Sequence, residues 1–189
     1  MLLAAPTTGS TALQGALAPR ASVVVRDPPH LKHAPCYRYK RFLKPYFVQA
    51  GGQKPELMAI VRNPIDWLGS WYRYRTRQDL IGHENSTHNV SFDDFVLEYC
   101  KGQPAPFANV GSQNKFLRIN DGDIGADHLF QYEQWDKVID YLEDRLDFKI
   151  TLKQKNVSPP MALTLSSEAE AKLREKRAAE FEIWDFGRR

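Results

Sequence analysis

The segment Met58-Ala59-Ile60-Val61-Arg62-Asn63-Pro64-Ile65-Asp66-Trp67-Leu68-Gly69-Ser70 constrains the fold more than any other stretch of this chain. A short apolar strand runs into Arg62 and is stopped by Pro64. Proline lacks an N–H, and its fixed φ suits the first turn of a helix. The spacing therefore predicts a strand–turn–helix junction with Arg62 at the carboxyl end of the strand. Ser70 falls about two turns into the helix, at roughly 3.6 residues per turn, on the side of the helix entrance. A guanidinium and a hydroxyl converging on one point make a phosphate clamp. The alternative is a surface arginine and an unrelated helix serine.

The chain opens with the same kind of junction, Met1-Leu2-Leu3-Ala4-Ala5-Pro6-Thr7-Thr8-Gly9-Ser10-Thr11-Ala12-Leu13. Gly9 allows close backbone approach, and Ser10 and Thr11 bring hydroxyls beside the free N–H groups of the helix start. Those groups and the helix dipole form an anion site. The spacing is not that of a Walker A loop. For this segment alone, a simple N-cap with a flexible turn explains the residues equally well. Two phosphate-suited junctions in one small chain favour the functional reading.

Pro6-Thr7-Thr8-Gly9-Ser10-Thr11 resembles the loop that holds the 5′-phosphosulfate in sulfotransferases, whose pattern is Pro-Lys-x-Gly-Thr/Ser-Thr. Val61-Arg62-Asn63-Pro64 with Ser70 resembles the 3′-phosphate clamp of that family, an arginine and a serine eight positions apart. Phe130-Gln131-Tyr132-Glu133 is similar to the family's late strand and helix start, and Asn156-Val157-Ser158 to a later segment. The resemblance implies a P-loop NTPase-like sulfotransferase fold, a three-layer parallel sheet flanked by helices. It implies 3′-phosphoadenylyl sulfate (PAPS) as co-substrate and adenosine 3′,5′-bisphosphate as product. Thr7, Thr8, Gly9, Ser10 and Thr11 would hold the phosphosulfate, and Arg62 and Ser70 the 3′-phosphate. Lys153 and Lys155 would lie near the 3′-phosphate.

The chain departs from the family pattern at Thr7, where a lysine is usual. Threonine can donate a hydrogen bond but carries no charge. The cation must then come from elsewhere, or transfer is weak, or the chain binds nucleotide without transferring. Ala12 stands where some members place an aromatic residue against adenine.

Sulfuryl transfer is an in-line displacement, by analogy with phosphoryl transfer, and needs a base for the acceptor hydroxyl. A histidine with an ordinary pKa near about 6.5 suits that role. His30-Leu31-Lys32-His33 occupies the region where sulfotransferases commonly carry the base. His33 is the favoured base, His30 the second choice, and Lys32 the candidate for the missing cation. A solvated basic loop is the competing explanation. His83, His88 and His128 are read as surface or structural, and no metal site is expected.

The chain has 189 residues, 42% hydrophobic and 26% charged, with a net charge of +3. These values describe one ordinary globular domain over residues 1–189, mildly basic and suited to an anionic cofactor. Two cysteines, Cys36 and Cys100, suggest reduced thiols rather than a disulfide framework. No run approaches the roughly 20 apolar residues of a membrane span, and no signal peptide or anchor is expected. A cytoplasmic protein with neither nucleic-acid nor membrane partners is the resulting expectation. The oligomeric state is left open.

Strands are predicted at residues 21–26, 56–61, 128–132 and 148–152, besides the first near Leu2. Helices are predicted at 11–17, 36–49 with an interruption near Pro45, 65–77, 91–99, 134–146 and 166–186. The alternation argues for a parallel sheet with ligands at the strand carboxyl ends. In the helix at 134–146, Trp135, Val138, Ile139, Leu142 and Leu146 form one apolar stripe, read as core. In Trp71-Tyr72-Arg73-Tyr74-Arg75-Thr76-Arg77, Arg73 and Arg77 share a helix face. A solvated helix end explains this run, or else a guide for an anionic acceptor.

The resulting expectation is a sulfotransferase acting on a hydroxyl, with a carbohydrate preferred over a phenol because the predicted loops are polar. A non-catalytic nucleotide-binding relative is the alternative. A P-loop kinase is disfavoured by the missing Walker lysine and the lack of an evident magnesium carboxylate.

Overall fold

Three short parallel strands set the frame of the computed structural model, which describes residues 1–119, 122–152 and 161–188. Strand β1 (Leu2–Leu3) leads to α1 (Ser10–Leu17), α2 (Pro29–Lys32), α3 (Cys36–Arg38) and α4 (Lys44–Gly51). Then come β2 (Met58–Val61), α5 (Pro64–Arg75), α6 (Phe92–Tyr99) and α7 (Gln113–Leu117). The chain closes with β3 (His128–Gln131), α8 (Trp135–Leu146), α9 (Ser167–Lys176) and α10 (Ala178–Phe186). The strand order is β1-β2-β3, with Leu3 opposite Ala59 and Val61 opposite Gln131.

Every residue of β2 is buried, as a central parallel strand covered on both faces requires. Its side chains alternate between two cores. Met58 and Ile60 pack with Leu13 of α1 and with Val138 and Leu142 of α8. Ala59 and Val61 pack with Cys36, Tyr39, Leu117 and Ile183 on the opposite side. The protein is thus mixed α/β, with a small parallel sheet between helical layers. A third core joins Trp67, Leu68 and Tyr72 of α5 to Phe95, Val96, Leu173 and Phe181 beside the sheet.

Residues 21–26 form no strand. They run irregularly over the surface, with Val23 63% exposed, because no neighbouring strand offers them a ladder. Residues 148–152 also lie outside any strand. Ile150 N–H donates instead to Glu143 Oε1 at 2.8 Å, and Ile150 and Leu152 pack beside α8. The helix around Pro45 is not interrupted. A π turn at Tyr39–Leu43 joins α3 to α4 immediately before the proline, accommodating its missing N–H. The expected helix at 166–186 divides at Arg177 (φ −128°, ψ 33°), whose guanidinium caps the Tyr99 and Lys101 carbonyls. Among the described residues no helix is long and apolar enough to cross a membrane.

Candidate functional site: two strand ends meet at one loop

After β1, the buried Ala4 and Ala5 lead into a turn with Thr7 at φ 58° and Gly9 at φ 71°. That region is open to glycine and strained for a β-branched residue. At Gly9 the packing is equally demanding: a Cβ there would lie 2.4 Å from Trp135 Cζ2 and 3.3 Å from Tyr132 Cε2. Only a glycine lets these two rings close over the turn. Gly9 caps α1 without a side-chain hydrogen bond, and the first turn carries no acid. Among the described residues the Ser10 and Thr11 N–H groups have no acceptor, whereas Ala12 N already donates to the Gly9 carbonyl at 3.0 Å; a helix start of this kind suits an anion.

The hydroxyls divide into two sets. Thr8 Oγ1 and Ser10 Oγ both donate to the Ala5 carbonyl, at 2.9 and 3.2 Å, and both residues are buried. These two bonds hold the shape of the loop. Thr11 Oγ1 accepts from Lys32 Nζ at 3.0 Å and keeps its own proton to donate. Thr7 Oγ1 is buried and has no hydrogen-bond partner among the described residues.

The second junction packs onto the first. Arg62 Nη1 approaches the Thr7 carbonyl at 3.5 Å, and Trp67 Nε1 of α5 donates to the Pro6 carbonyl at 3.2 Å. The Arg62 guanidinium lies 4.4 Å from the Tyr132 ring centroid, a cation–π contact. The strand register produces this, since Arg62 and Tyr132 each follow the Val61–Gln131 pair. Arg62 Nε is buried and has no hydrogen-bond partner among the described residues. Ser70 is half-buried on α5, and its hydroxyl makes no hydrogen bond to a described residue.

Lys32 and His33 reach the same loop from the other side. His33 Nδ1 lies 2.5 Å from the Ala4 carbonyl. Since a carbonyl only accepts, Nδ1 carries the proton and Nε2 presents its lone pair. Burial pulls the pKa of His33 below its ordinary 6.5; the Ala4 contact opposes this and Lys32 adds to it. The ring is therefore neutral at pH 7. His30 contributes a carbonyl to Arg38 Nη1 at 3.1 Å, a structural role for its backbone.

The sequence reading missed the residues that hold Arg62 in place. Gln113 pairs with its backbone twice, accepting from Arg62 N and donating to Arg62 O, each at 2.9 Å. Gln113 is held in turn by the buried Glu180, which accepts from Ser112 Oγ, from Gln113 N at 3.0 Å and from Asn114 N at 3.2 Å. Aligning the two strand ends would have found Tyr132; nothing in the local sequence marks Gln113. Trp135, read as core, is partly buried and also covers Gly9.

The remaining residues fall outside this arrangement. Arg75 is buried and spends its guanidinium on the Pro106 and Asn109 carbonyls, at 2.6 and 3.1 Å, while Arg77 stacks on Tyr74. His83 Nδ1 accepts from Asn85 N at 3.1 Å, and His128 contacts Glu56 at 3.2 Å. Cys36 and Cys100 are free thiols, and burial pushes Cys36 up to about 12. Lys153, Lys155 and Asn156-Val157-Ser158 lie outside the described residues. Among those described, no group of three or more His, Cys, Asp or Glu side chains could hold a metal ion.

No protein-family model matches this chain, and neither a curated protein nor a solved structure matches it.

Proposed function

We propose that this protein transfers a sulfuryl group from 3′-phosphoadenylyl sulfate to a hydroxyl-bearing acceptor, with a carbohydrate as the preferred class. One observation carries the reading. Two strand-end junctions that are 55 residues apart in sequence touch through Arg62 and Thr7, and Lys32 reaches the helix start beside them.

In this mechanism the opening turn of α1 and the Thr11 hydroxyl bind the phosphosulfate, while Arg62 and Ser70 bind the 3′-phosphate. His33 Nε2 takes the proton of the acceptor hydroxyl as its oxygen attacks sulfur. The new S–O bond forms as the S–O bond to the bridging oxygen breaks, leaving the electron pair on the 5′-phosphate of adenosine 3′,5′-bisphosphate. Lys32 and the α1 dipole balance that charge. Lys32 thereby supplies the cation that Thr7 does not. A second reading, a nucleotide binder without transfer activity, is favoured by the absence of an amine at Thr7 itself.

Calorimetry with adenosine 3′,5′-bisphosphate tests the binding half. Absence of heat, or binding of magnesium ATP in its place, would overturn the proposal and favour a phosphotransferase. Transfer of labelled sulfate to an acceptor panel then separates enzyme from binder. His33→Ala is expected to lower turnover by about 10²–10⁴ while leaving nucleotide affinity unchanged. The acid limb of the wild-type pH–rate profile is expected below pH 6.5, because the site keeps His33 neutral under its ordinary value. Unchanged turnover in His33→Ala removes it as the base.

A further inference from the structure

We infer that Arg73 is a further phosphate-binding residue, which joins Arg62 and Ser70 to recognise the dianionic 3′-phosphate. This rests on the nucleotide reading above and adds a residue to it. Asp66, Gly69, Ser70 and Arg73 stand at i, i+3, i+4 and i+7 on α5, a single stripe of the helix. Long side chains on a helix lean toward its N-terminus, over the preceding turn. Arg73 does so: its two terminal nitrogens lie 3.5 and 3.6 Å from where a Cβ on Gly69 would stand. The missing side chain at Gly69 leaves room there for the guanidinium, which shares the space with Leu163 Cδ1, 3.2 Å from that same point.

The two arginines lack a matching acid. Among the described residues neither forms a contact ion pair. Arg73 has one hydrogen bond, from Nη1 to the Met161 carbonyl at 3.4 Å. Arg62 has Nη1 on the Thr7 carbonyl at 3.5 Å and a buried Nε with no hydrogen-bond partner among the described residues. Burial and then the like charge of Arg62 depress the pKa of Arg73, and the exposed Asp66 only partly offsets them. Arg73, with the Ser70 hydroxyl one turn before it on the same stripe and unbonded among the described residues, and Arg62 at the strand end offer charge and donors that a doubly charged phosphate monoester satisfies. A nucleotide without that group leaves the repulsion uncompensated.

The test compares adenosine 3′,5′-bisphosphate with adenosine 5′-monophosphate by calorimetry, on wild type, Arg73→Gln and Arg73→Lys. Wild type is expected to prefer the bisphosphate. Arg73→Gln should lose about 10–100-fold in bisphosphate affinity and bind the monophosphate as before. Arg73→Lys should fall between. If Arg73→Gln keeps the wild-type preference, Arg73 is not a ligand and the inference fails alone. If both variants lose both nucleotides alike, Arg73 serves the helix rather than the phosphate, and the inference again fails. If wild type binds neither nucleotide, the parent reading falls and takes this one with it.

Discussion

Thr7 combines two costs at one residue: a φ of 58° and a buried hydroxyl without a hydrogen-bond partner among the described residues. A β-branched residue in that region is strained by about 1–3 kcal/mol. Thr7→Gly is therefore expected to raise stability by about 1 kcal/mol, read as a higher urea midpoint at unchanged slope. A lower midpoint would mean that the Thr7 side chain supports the loop. The positions of some charged and special residues were legible in the sequence, because the strand end, the turn and the basic loop carry local signals. Arg62 reaches the loop, Gly9 takes the left-handed turn, and Lys32 meets Thr11. Gln113 was not legible. It acts by completing a backbone pairing with a residue 51 positions away, and an amide side chain advertises no such role.

Among the elements, those with strong local signals matched their predictions. Asn63 and Pro64 start α5 with an Asn63 Oδ1 cap on Ile65 N at 3.0 Å, and Ser91 caps α6 on Asp94 N at 3.1 Å. The strand predicted at 21–26 failed because β propensity needs a partner, and the sheet ends at β1. The turn between β1 and α1 depends on the aromatic start of α8, a relation no window of sequence contains. Gly9→Ala should cost roughly 2–4 kcal/mol, from overpacking against Trp135 together with the left-handed backbone. Thermal unfolding measures this, and a loss below about 1 kcal/mol would show that the rings yield easily.

Across the whole molecule, Glu180 ties the C-terminal helix to the strand end that carries Arg62, through Ser112, Gln113 and Asn114. Glu180→Ala leaves three donors without their acceptor and is expected to cost about 3 kcal/mol or more in denaturant unfolding. A cost under about 1 kcal/mol would show that water replaces the carboxylate. Burial raises the pKa of this carboxyl above its ordinary 4.5, against the opposing pull of Ser112, Asn114 and Gln113. Its contribution is fully present below 4.5 and is lost as pH rises through the folded-state value. As pH rises above 4.5, wild-type stability should decline more steeply than that of Glu180→Gln. Equal slopes would assign the pH dependence elsewhere.

The surface run at 21–26 has its own consequence for handling the protein. Val23, Val24 and Val25 are consecutive β-branched residues, largely exposed and bound into no ladder. Such a segment is a template for intermolecular strand growth. Arg20 and Arg26 bracket it with charge, and Pro28 and Pro29 close one end to further pairing. Salt that screens the two arginines should therefore promote self-association before it disturbs the fold.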